Sequence, residues 1–323
     1  MTNSLPVAEV ARLGDAILGE VGTAVVGMRD TLEIALATIL AGGHVLFEDV
    51  PGTGKTLAAR SLATALGLDF ARLQCTPDLL PSDITGSSVW DPQRGDFVFR
   101  PGPVFTGLFL ADEINRTAPK TQSALLEAMA ERQVTVDGAS RPLTLPFHVV
   151  ATSNPVEYEG TYPLPEAQLD RFMVRLAVGY PSREGESEVL TRRIARRQEA
   201  APVSRVVEAG TVLQLQAGVE AMPVDPDVVA YCVDLAAATR RHPALEVGAS
   251  PRGSQNLVLL ARAVAALDGR DAVLPEDVKR VAVPVLSHRL TLTATAWASG
   301  RRPESVVTEL LGSVPGPTTV RRS

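Results

Sequence analysis

The chain contains 323 residues, of which 45% are hydrophobic and 21% are charged, and its formal net charge at pH 7 is −6. An acidic chain is repelled by the phosphate backbone of nucleic acids, which argues against tight nonspecific binding of DNA or RNA. The sequence has no run of 18 uncharged apolar residues, so no transmembrane helix is expected. The two cysteines, Cys75 and Cys232, are far apart, which favours a reducing compartment and predicts a cytoplasmic protein.

A glycine-bearing loop lies between a short apolar run and a helix-forming stretch early in the chain. Residues 46–56 read Leu-Phe-Glu-Asp-Val-Pro-Gly-Thr-Gly-Lys-Thr. In this strand–loop–helix order, the loop N–H groups and the helix N-terminus bind a polyphosphate. Lys55 would reach the β- and γ-phosphates, and the Thr56 hydroxyl would complete a Mg²⁺ shell. We therefore predict that a nucleotide is held by Pro51, Gly52, Thr53, Gly54, Lys55, Thr56 and Leu57.

The loop departs at one position from the common pattern G-x-x-x-x-G-K-[ST], because Asp49 stands where glycine is expected. The alternative is an incidental glycine-rich turn before a helix. The apolar run, the loop and the helical stretch all agree with a phosphate-binding loop instead.

A second apolar run, residues 107–111, ends in the carboxylates Asp112 and Glu113. In phosphate-loop ATPases an aspartate at a strand end holds Mg²⁺, which predicts that role for Asp112. An adjacent glutamate can orient or deprotonate the attacking water, which predicts that role for Glu113. The alternative is a surface Asp-Glu pair that caps the next helix.

The order of apolar segments predicts an α/β fold. Five short runs look like strands, with helical patterns between several of them, as a parallel sheet requires; they span 44–48, 70–74, 108–112, 147–152 and 173–178. After residue 182 the patterns favour helices, at 213–219, 226–240, 253–267, 275–286 and 303–311. We therefore predict an N-terminal helix (1–25), an α/β nucleotide-binding domain (26–182), a small all-helical lid domain (183–311) and a flexible tail (312–323).

Two inserts interrupt the alternation of strands and helices. Residues 89–99 alternate apolar and polar positions around a turn, which predicts a hairpin. Segments 133–136 and 143–145 flank Asp137-Gly138, which predicts a second hairpin.

With these elements placed, the chain resembles the MoxR family of AAA+ ATPases over residues 26–311. The motifs that carry the resemblance are Glu-Asp-Val-Pro-Gly-Thr-Gly-Lys-Thr (48–56), Ala-Asp-Glu-Ile-Asn-Arg (111–116), Thr-Ser-Asn-Pro (152–155), Leu-Pro-Glu-Ala-Gln-Leu-Asp-Arg-Phe (164–172) and Gly-Ala-Ser-Pro-Arg (248–252). Asp49 in place of glycine agrees with the usual loop of this family. The resemblance implies an AAA+ phosphate-loop domain with hairpin inserts that face the pore of a ring.

The resemblance also implies roles for further residues. Asn154 resembles the sensor that positions the attacking water or the γ-phosphate, with an ordinary Asn-Pro turn as the alternative. Arg171 resembles the arginine finger that reaches a neighbouring subunit's γ-phosphate, with a surface pairing to Asp170 as the alternative. Arg252 resembles the second sensor, which ties the lid to the phosphate; the alternative is an exposed arginine. Val26-Gly27 resembles the segment that packs on adenine; the alternative is a plain turn.

The function implied by the resemblance is ATP hydrolysis with ATP and Mg²⁺ in a homo-oligomeric ring, expected to be a hexamer. Such a ring would act as a chaperone-like remodeller or maturation factor for client proteins, including proteins with a von Willebrand A domain. Three alternatives stay open: a nucleic-acid motor, a metal-chelatase motor subunit and a nucleotide-gated scaffold that does not hydrolyse ATP. The acidic charge opposes the first, and the presence of Asp112, Glu113 and Asn154 opposes the third.

Overall fold

A five-stranded parallel sheet forms the centre of the first half of the chain. The computed structural model describes residues 4–155, 161–198 and 201–317. The strand order is β2-β5-β8-β1-β9, with β1 at Val45–Glu48, β2 at Phe70–Gln74, β5 at Leu108–Asp112, β8 at His148–Ser153 and β9 at Val174–Leu176. All five predicted strands are therefore confirmed, with ends that differ by at most two residues. Strand β5 is buried along its whole length, which explains its uninterrupted apolar sequence.

Helices connect these strands and cover the sheet. They are α1 (Val7–Ala24), α2 (Arg29–Leu40), α3 (Lys55–Ala65), α4 (Pro81–Thr85), α5 (Pro119–Glu131) and α6 (Glu166–Leu169). Because the parallel strands all run in one direction, their carboxyl ends meet at one edge of the sheet, which is where ligands bind in such folds. Glu48, Asp112 and Asn154 lie at this edge or directly after it.

The two predicted hairpins are present beside the sheet. The first pairs β3 (Gly86–Asp91) with β4 (Asp96–Pro101), and the second pairs β6 (Gln133–Val136) with β7 (Ala139–Pro142). The prediction of 143–145 as the second partner strand was wrong. Asp137 and Gly138 both have positive φ and form a two-residue turn, so pairing begins directly at Ala139.

The second half of the chain is helical, as predicted. Its helices are α7 (Arg183–Arg196), α8 (Ala209–Glu220), α9 (Pro226–Thr239), α10 (Pro251–Leu267), α11 (Pro275–Leu286), α12 (Ala294–Ala298) and α13 (Pro303–Ser313). One addition was not predicted: β10 (Leu245–Val247) and β11 (Thr291–Leu292) form a short antiparallel ribbon. Helix α13 continues to Ser313, past the predicted start of the tail, and residues 318–323 lie outside the described part.

One contiguous hydrophobic core joins the two halves. Helix α1 packs so closely on α10 that a Cβ atom at Gly14 would lie 2.3 Å from Cδ2 of Leu267. The N-terminal helix is thus packed against the helical region rather than isolated. No helix in the described ranges is long and apolar enough to cross a membrane. Cys75 and Cys232 are both buried and unpaired.

Candidate functional site

The loop between β1 and α3 has the backbone of an anion site. Gly52 and Gly54 have φ angles of 82° and 86°, in the left-handed region that favours glycine. A side chain at either position would meet no other atom, so the glycines are required by conformation and not by crowding. The loop ends at the first turn of α3, whose unpaired N–H groups attract an anion.

Lys55 lies over its own loop. Its Nζ donates to the carbonyl oxygens of Asp49 at 2.6 Å and Val50 at 2.9 Å. Burial lowers the pKa of Lys55, while the nearby carboxylates of Asp49, Asp112 and Glu113 oppose that shift. The ammonium group is therefore held beside the loop that would bind phosphates. Its hydrogen bonds to these two backbone carbonyls are the contacts that it would lose on binding a phosphate.

Asp112 brings two strands and the phosphate loop together. Its Oδ2 accepts from the Thr56 hydroxyl at 3.2 Å and from Arg72 Nε at 2.9 Å. Its Oδ1 accepts from the Thr152 hydroxyl at 2.6 Å. The neighbouring carboxylate and hydroxyl oxygens of Asp112 and Thr56 are the hard ligands that Mg²⁺ prefers, so the pair fits this ion.

Arg72 and Thr152 were missed by sequence reasoning. Arg72 lies in no motif, and Thr152 belongs to the motif at 152–155 but was given no role there; the only further signal is that each lies on a strand beside β5. Arg72 pairs with Leu110 in the ladder, and Thr152 lies on β8, on the other side of β5. They reach Asp112 only because the sheet has formed.

Glu113 has a strained backbone at the end of β5. Its φ of 59° and ψ of 50° lie in the left-handed region, which is uncommon for a residue other than glycine. Residues with such backbone conformations cluster at functional sites. The N–H of Glu113 donates to the Thr152 hydroxyl at 2.8 Å, and Oε2 pairs with Arg116 Nε at 3.0 Å. Neither side chain of the Asp-Glu pair caps a helix: Glu113 makes no side-chain cap bond, and the N-cap of α5 is Ala118. The capping alternative is therefore wrong.

Asn154 follows β8 directly and is 6% exposed. Strand β8 lies between β5 and β1 in the sheet, so Asn154 emerges between the Asp112-Glu113 pair and the phosphate loop. Its carbonyl oxygen accepts from Asn115 Nδ2 at 3.2 Å, which fixes the backbone at this point.

A cavity of about 610 Å³ extends from the phosphate loop. Val26 and Gly27 line it together with the loop glycines and Leu57, so the predicted base-packing segment and phosphate loop share one cavity. Its remaining wall comes from the segment after β9 and from α7, through Val178, Gly179, Tyr180, Pro181, Glu186, Val189 and Leu190. Sequence reasoning had treated Tyr180-Pro181 only as a domain boundary.

The two predicted arginines lie elsewhere. Arg171 donates from Nη1 to the Ala167 carbonyl at 2.9 Å and lines a separate groove between α5 and α6. Arg252 Nη1 lies 3.8 Å from Asp170 Oδ2. The alternative pairing of Arg171 with Asp170 is not what is seen, because Asp170 pairs with Arg252 and with Arg289. The structure therefore brings the phosphate loop, Asp112 and Glu113 together, and it places Asn154 at the neighbouring strand end, where it lines a separate cavity.

Both halves of the chain match families of known proteins. The model of the "ATPase family associated with various cellular activities (AAA)" matches residues 44–174, and the model of the "AAA lid domain" matches residues 237–310. The first range covers the phosphate loop and the sheet up to the start of β9, and the second covers the helical region from the end of α9 to α13.

Several relatives match along nearly the whole chain. Chaperone MoxR1 of Mycobacterium tuberculosis is 43% identical over 316 residues, covering 95% of this chain and 83% of its own length. The protein YeaC of Bacillus subtilis is 47% identical over 96% of both chains. Protein MoxR of Paracoccus denitrificans is 34% identical over 83% of this chain and 86% of its own. A crystal structure from Cytophaga hutchinsonii, described as a candidate ATPase, superposes with a TM-score of 0.90 at 40% identity, covering 97% of each chain.

Proposed function

Since the chain belongs to the MoxR family of AAA+ ATPases, we propose that it hydrolyses Mg-ATP and uses the reaction to remodel partner proteins. The observation that carries the proposal is the 3.2 Å contact between Thr56 Oγ1 and Asp112 Oδ2. It joins the end of the phosphate loop to a strand-end carboxylate, which is the pair of oxygen ligands that a nucleotide-bound Mg²⁺ requires.

The nucleotide would lie along the cavity from Val26 and Gly27 to the phosphate loop, with the base against the apolar wall and the phosphates at the start of α3. Lys55 would exchange the carbonyls of Asp49 and Val50 for phosphate oxygens. Thr56 and Asp112 would hold Mg²⁺, which neutralises phosphate charge when bound.

The strained Glu113 would orient the attacking water and accept its proton. Its carboxylate is held by Arg116, and the backbone is fixed through Thr152. Asn154 would hydrogen-bond the same water or the γ-phosphate without adding charge. These assignments use only groups at the carboxyl edge of the sheet.

Arg171 would complete the active site of an adjacent copy, and Arg252 would tie the lid to the phosphate. Arg171 lies in a different cavity from the phosphate loop, and Arg252 reaches Asp170, the residue before Arg171 in the chain. Arg171 would stabilise negative charge developing on a neighbour's phosphates. A site that takes Arg171 from the next copy implies head-to-tail contacts between copies, for which we propose a closed ring of six.

The client of the ring is proposed to be a protein, in line with the name Chaperone MoxR1 of the mycobacterial relative. Proteins with a von Willebrand A domain are the client class we propose. The two hairpins would face the pore of the ring.

The test is phosphate release from Mg-ATP across a series of protein concentrations, with Glu113→Gln as the blank. A specific activity that rises steeply with concentration supports a site completed by assembly. Phosphate release no higher than the blank at every concentration, in the presence and absence of client, would contradict ATP hydrolysis.

A further inference from the structure

Asp49 is the one loop residue that departs from the common phosphate-loop pattern, and both oxygens of its carboxylate accept hydrogen bonds. Asp49 is 9% exposed. Its Oδ1 accepts from the N–H of Val50 at 2.7 Å, and its Oδ2 accepts from the N–H groups of Val178 at 2.7 Å and Gly179 at 2.5 Å. Three N–H donors to one carboxylate make a strong, charge-assisted clamp.

The clamp joins two parts of the chain that the sheet itself does not hold together. Strand β9 lies at the edge of the sheet and pairs only with β1, and that pairing ends at Phe47 with Leu176. Beyond Leu176 the chain leaves the ladder and becomes the wall of the nucleotide cavity. Asp49 holds this wall where it begins, at the N–H groups of Val178 and Gly179.

The two sides of the clamp correspond to the two ends of the proposed nucleotide. On one side lies the phosphate loop, where Lys55 Nζ contacts the Asp49 carbonyl at 2.6 Å. On the other side lies the segment with Tyr180 and Pro181, which lines the part of the cavity next to Val26 and Gly27. The Asp49 side chain is therefore one of the contacts that set the distance between the base wall and the phosphate loop.

A carboxylate in this place carries an electrostatic cost. Its negative charge repels the phosphates that the loop would bind, and the repulsion is strengthened by burial. A glycine at position 49 would avoid this repulsion. The hydrogen bonds from Val178 and Gly179 to the carboxylate are the stabilising contacts that offset it.

We propose that Asp49 is a positioning residue that holds the base-binding wall in register with the phosphate loop, so that the site selects a nucleoside triphosphate over bare polyphosphate. This inference rests on the proposed function, because it takes the cavity as the nucleotide site. Asp49 acts through the wall and need not touch the nucleotide.

The test compares Asp49→Gly, which restores the common loop pattern, with the wild type. Binding of Mg-ATP and of Mg-tripolyphosphate is measured by calorimetry for each protein. Loss of the clamp frees the base wall, so Mg-ATP affinity should fall by about tenfold, the size expected for lost hydrogen bonds to a charged group. Tripolyphosphate uses only the phosphate loop, so its affinity should stay equal or rise as the repulsion disappears.

Asp49→Asn is the matched second variant. Its amide keeps the shape and one acceptor oxygen but turns an N–H₂ group toward N–H donors. The affinity for Mg-ATP should therefore fall, and that for tripolyphosphate should stay equal or rise, by smaller factors than in Asp49→Gly. Thermal unfolding of each free variant is recorded, and Asp49→Asn carries the test if Asp49→Gly does not fold.

Three results would overturn the inference. An equal loss of affinity for both ligands would mean that Asp49 only supports the phosphate loop. A gain of affinity for both ligands would mean that Asp49 only repels phosphates. Failure of both variants to fold would make it a structural residue. Lys55→Ala should bind neither ligand, and it distinguishes failure of the inference about Asp49 from failure of the proposed function. A wild type that binds Mg-ATP no better than Lys55→Ala would overturn the proposed function as well.

Discussion

Arg289 donates from Nε to Oδ1 of Asp170 at 2.8 Å, and this ion pair ties the helical region to the loop that carries Arg171. The Arg289 side chain is 1% exposed, and burial lowers the pKa of its guanidinium to about 10. Arg289 Nη2 also donates to the Phe172 carbonyl at 2.6 Å, while the Asp170 carboxylate accepts from the Ser250 hydroxyl at 3.2 Å. The residue before Arg171 is thus fixed from the second half of the chain.

Asp170→Asn should lower the free energy of unfolding, because it leaves a buried guanidinium without its counterion. Breaking a fully buried pair costs about 3–5 kcal/mol, and we expect about 2 kcal/mol here because Asp170 is partly exposed and Arg289 keeps its carbonyl partners. Urea unfolding measures the change. Asp234→Asn, on the exposed face of α9, is the control, expected within about 0.5 kcal/mol of wild type; equal stability of both variants would contradict a structural ion pair.

Glu113→Gln should keep Mg-ATP bound while phosphate release falls by about a hundredfold or more, because an amide cannot take the proton of the attacking water. Calorimetry measures binding, and a coupled phosphate assay measures turnover. Glu246→Gln, at an exposed position of strand β10, should leave both unchanged. Turnover near that of wild type in Glu113→Gln would remove Glu113 from the catalytic role.

Arg192 fixes α7 as the roof of the proposed nucleotide cavity. Its Nη1 donates to the carbonyls of Gly22 at 2.7 Å and Thr23 at 2.9 Å, at the end of α1, where a cation is favoured by the helix dipole. Val189 and Leu190 of the same helix line the cavity. The roof therefore depends on a guanidinium that contacts no part of the nucleotide loop.

Arg192→Ala should weaken Mg-ATP binding by about fivefold, since the contact at a helix C-terminus contributes on the order of 1 kcal/mol. Phosphate release at saturating Mg-ATP should change little, because the proposed catalytic groups Asp112 and Glu113 do not line the part of the cavity that α7 covers. Titration of the rate against Mg-ATP separates the two quantities. Arg193→Ala, exposed on the same helix, is the control; an equal loss of affinity in both variants would contradict the assignment.

Two buried histidines predict acid sensitivity of the fold. Burial lowers the pKa of His44 to about 3 and of His148 to about 4, so both are neutral in the folded protein at neutral pH. In the unfolded chain both histidines bind a proton near pH 6.5. The free energy of unfolding therefore does not depend on these two groups above that pH, and it decreases as the pH falls below it. The slope is about 1.4 kcal/mol for each histidine per pH unit between about pH 6 and 4.5.

His148→Gln removes one of these groups and should make the pH slope of the unfolding free energy shallower by about 1.4 kcal/mol per unit below about pH 6. Urea unfolding at roughly pH 7.5, 6.0 and 5.0 gives the slopes. The comparison of slopes is independent of any uniform loss of stability in the variant. An unchanged slope would mean that His148 is protonated in the fold.

Local patterns were enough to predict the sheet and the nucleotide edge. The phosphate loop, Asp112 and Glu113 each lie at the end of an apolar run, and a parallel sheet brings such ends together whatever the rest of the chain does. The prediction of a helical second half succeeded for the same reason, because its helices begin at prolines and carry apolar faces.

Pairs that lie far apart in the sequence could not be predicted. Arg289 and Asp170 are separated by 119 positions, and Arg72 and Asp112 by 40. Helix α7 was missed because it buries none of its residues and carries only three large apolar side chains, Val189, Leu190 and Ile194. The clamp by Asp49 was equally hidden, since its partners are backbone N–H groups that carry no sequence signal.

If each active site is completed by an adjacent copy, two inactive variants should complement each other in a mixed assembly, and phosphate release from the mixture measures this. Lys55→Ala should lose nucleotide binding, and Arg171→Ala should bind Mg-ATP but lose about a thousandfold or more in turnover. Mixed in equal amounts and allowed to co-assemble, the two should regain activity at about a quarter of the interfaces, those where an intact site meets an intact arginine. A mixture that co-assembles and stays as inactive as its components would contradict the claim.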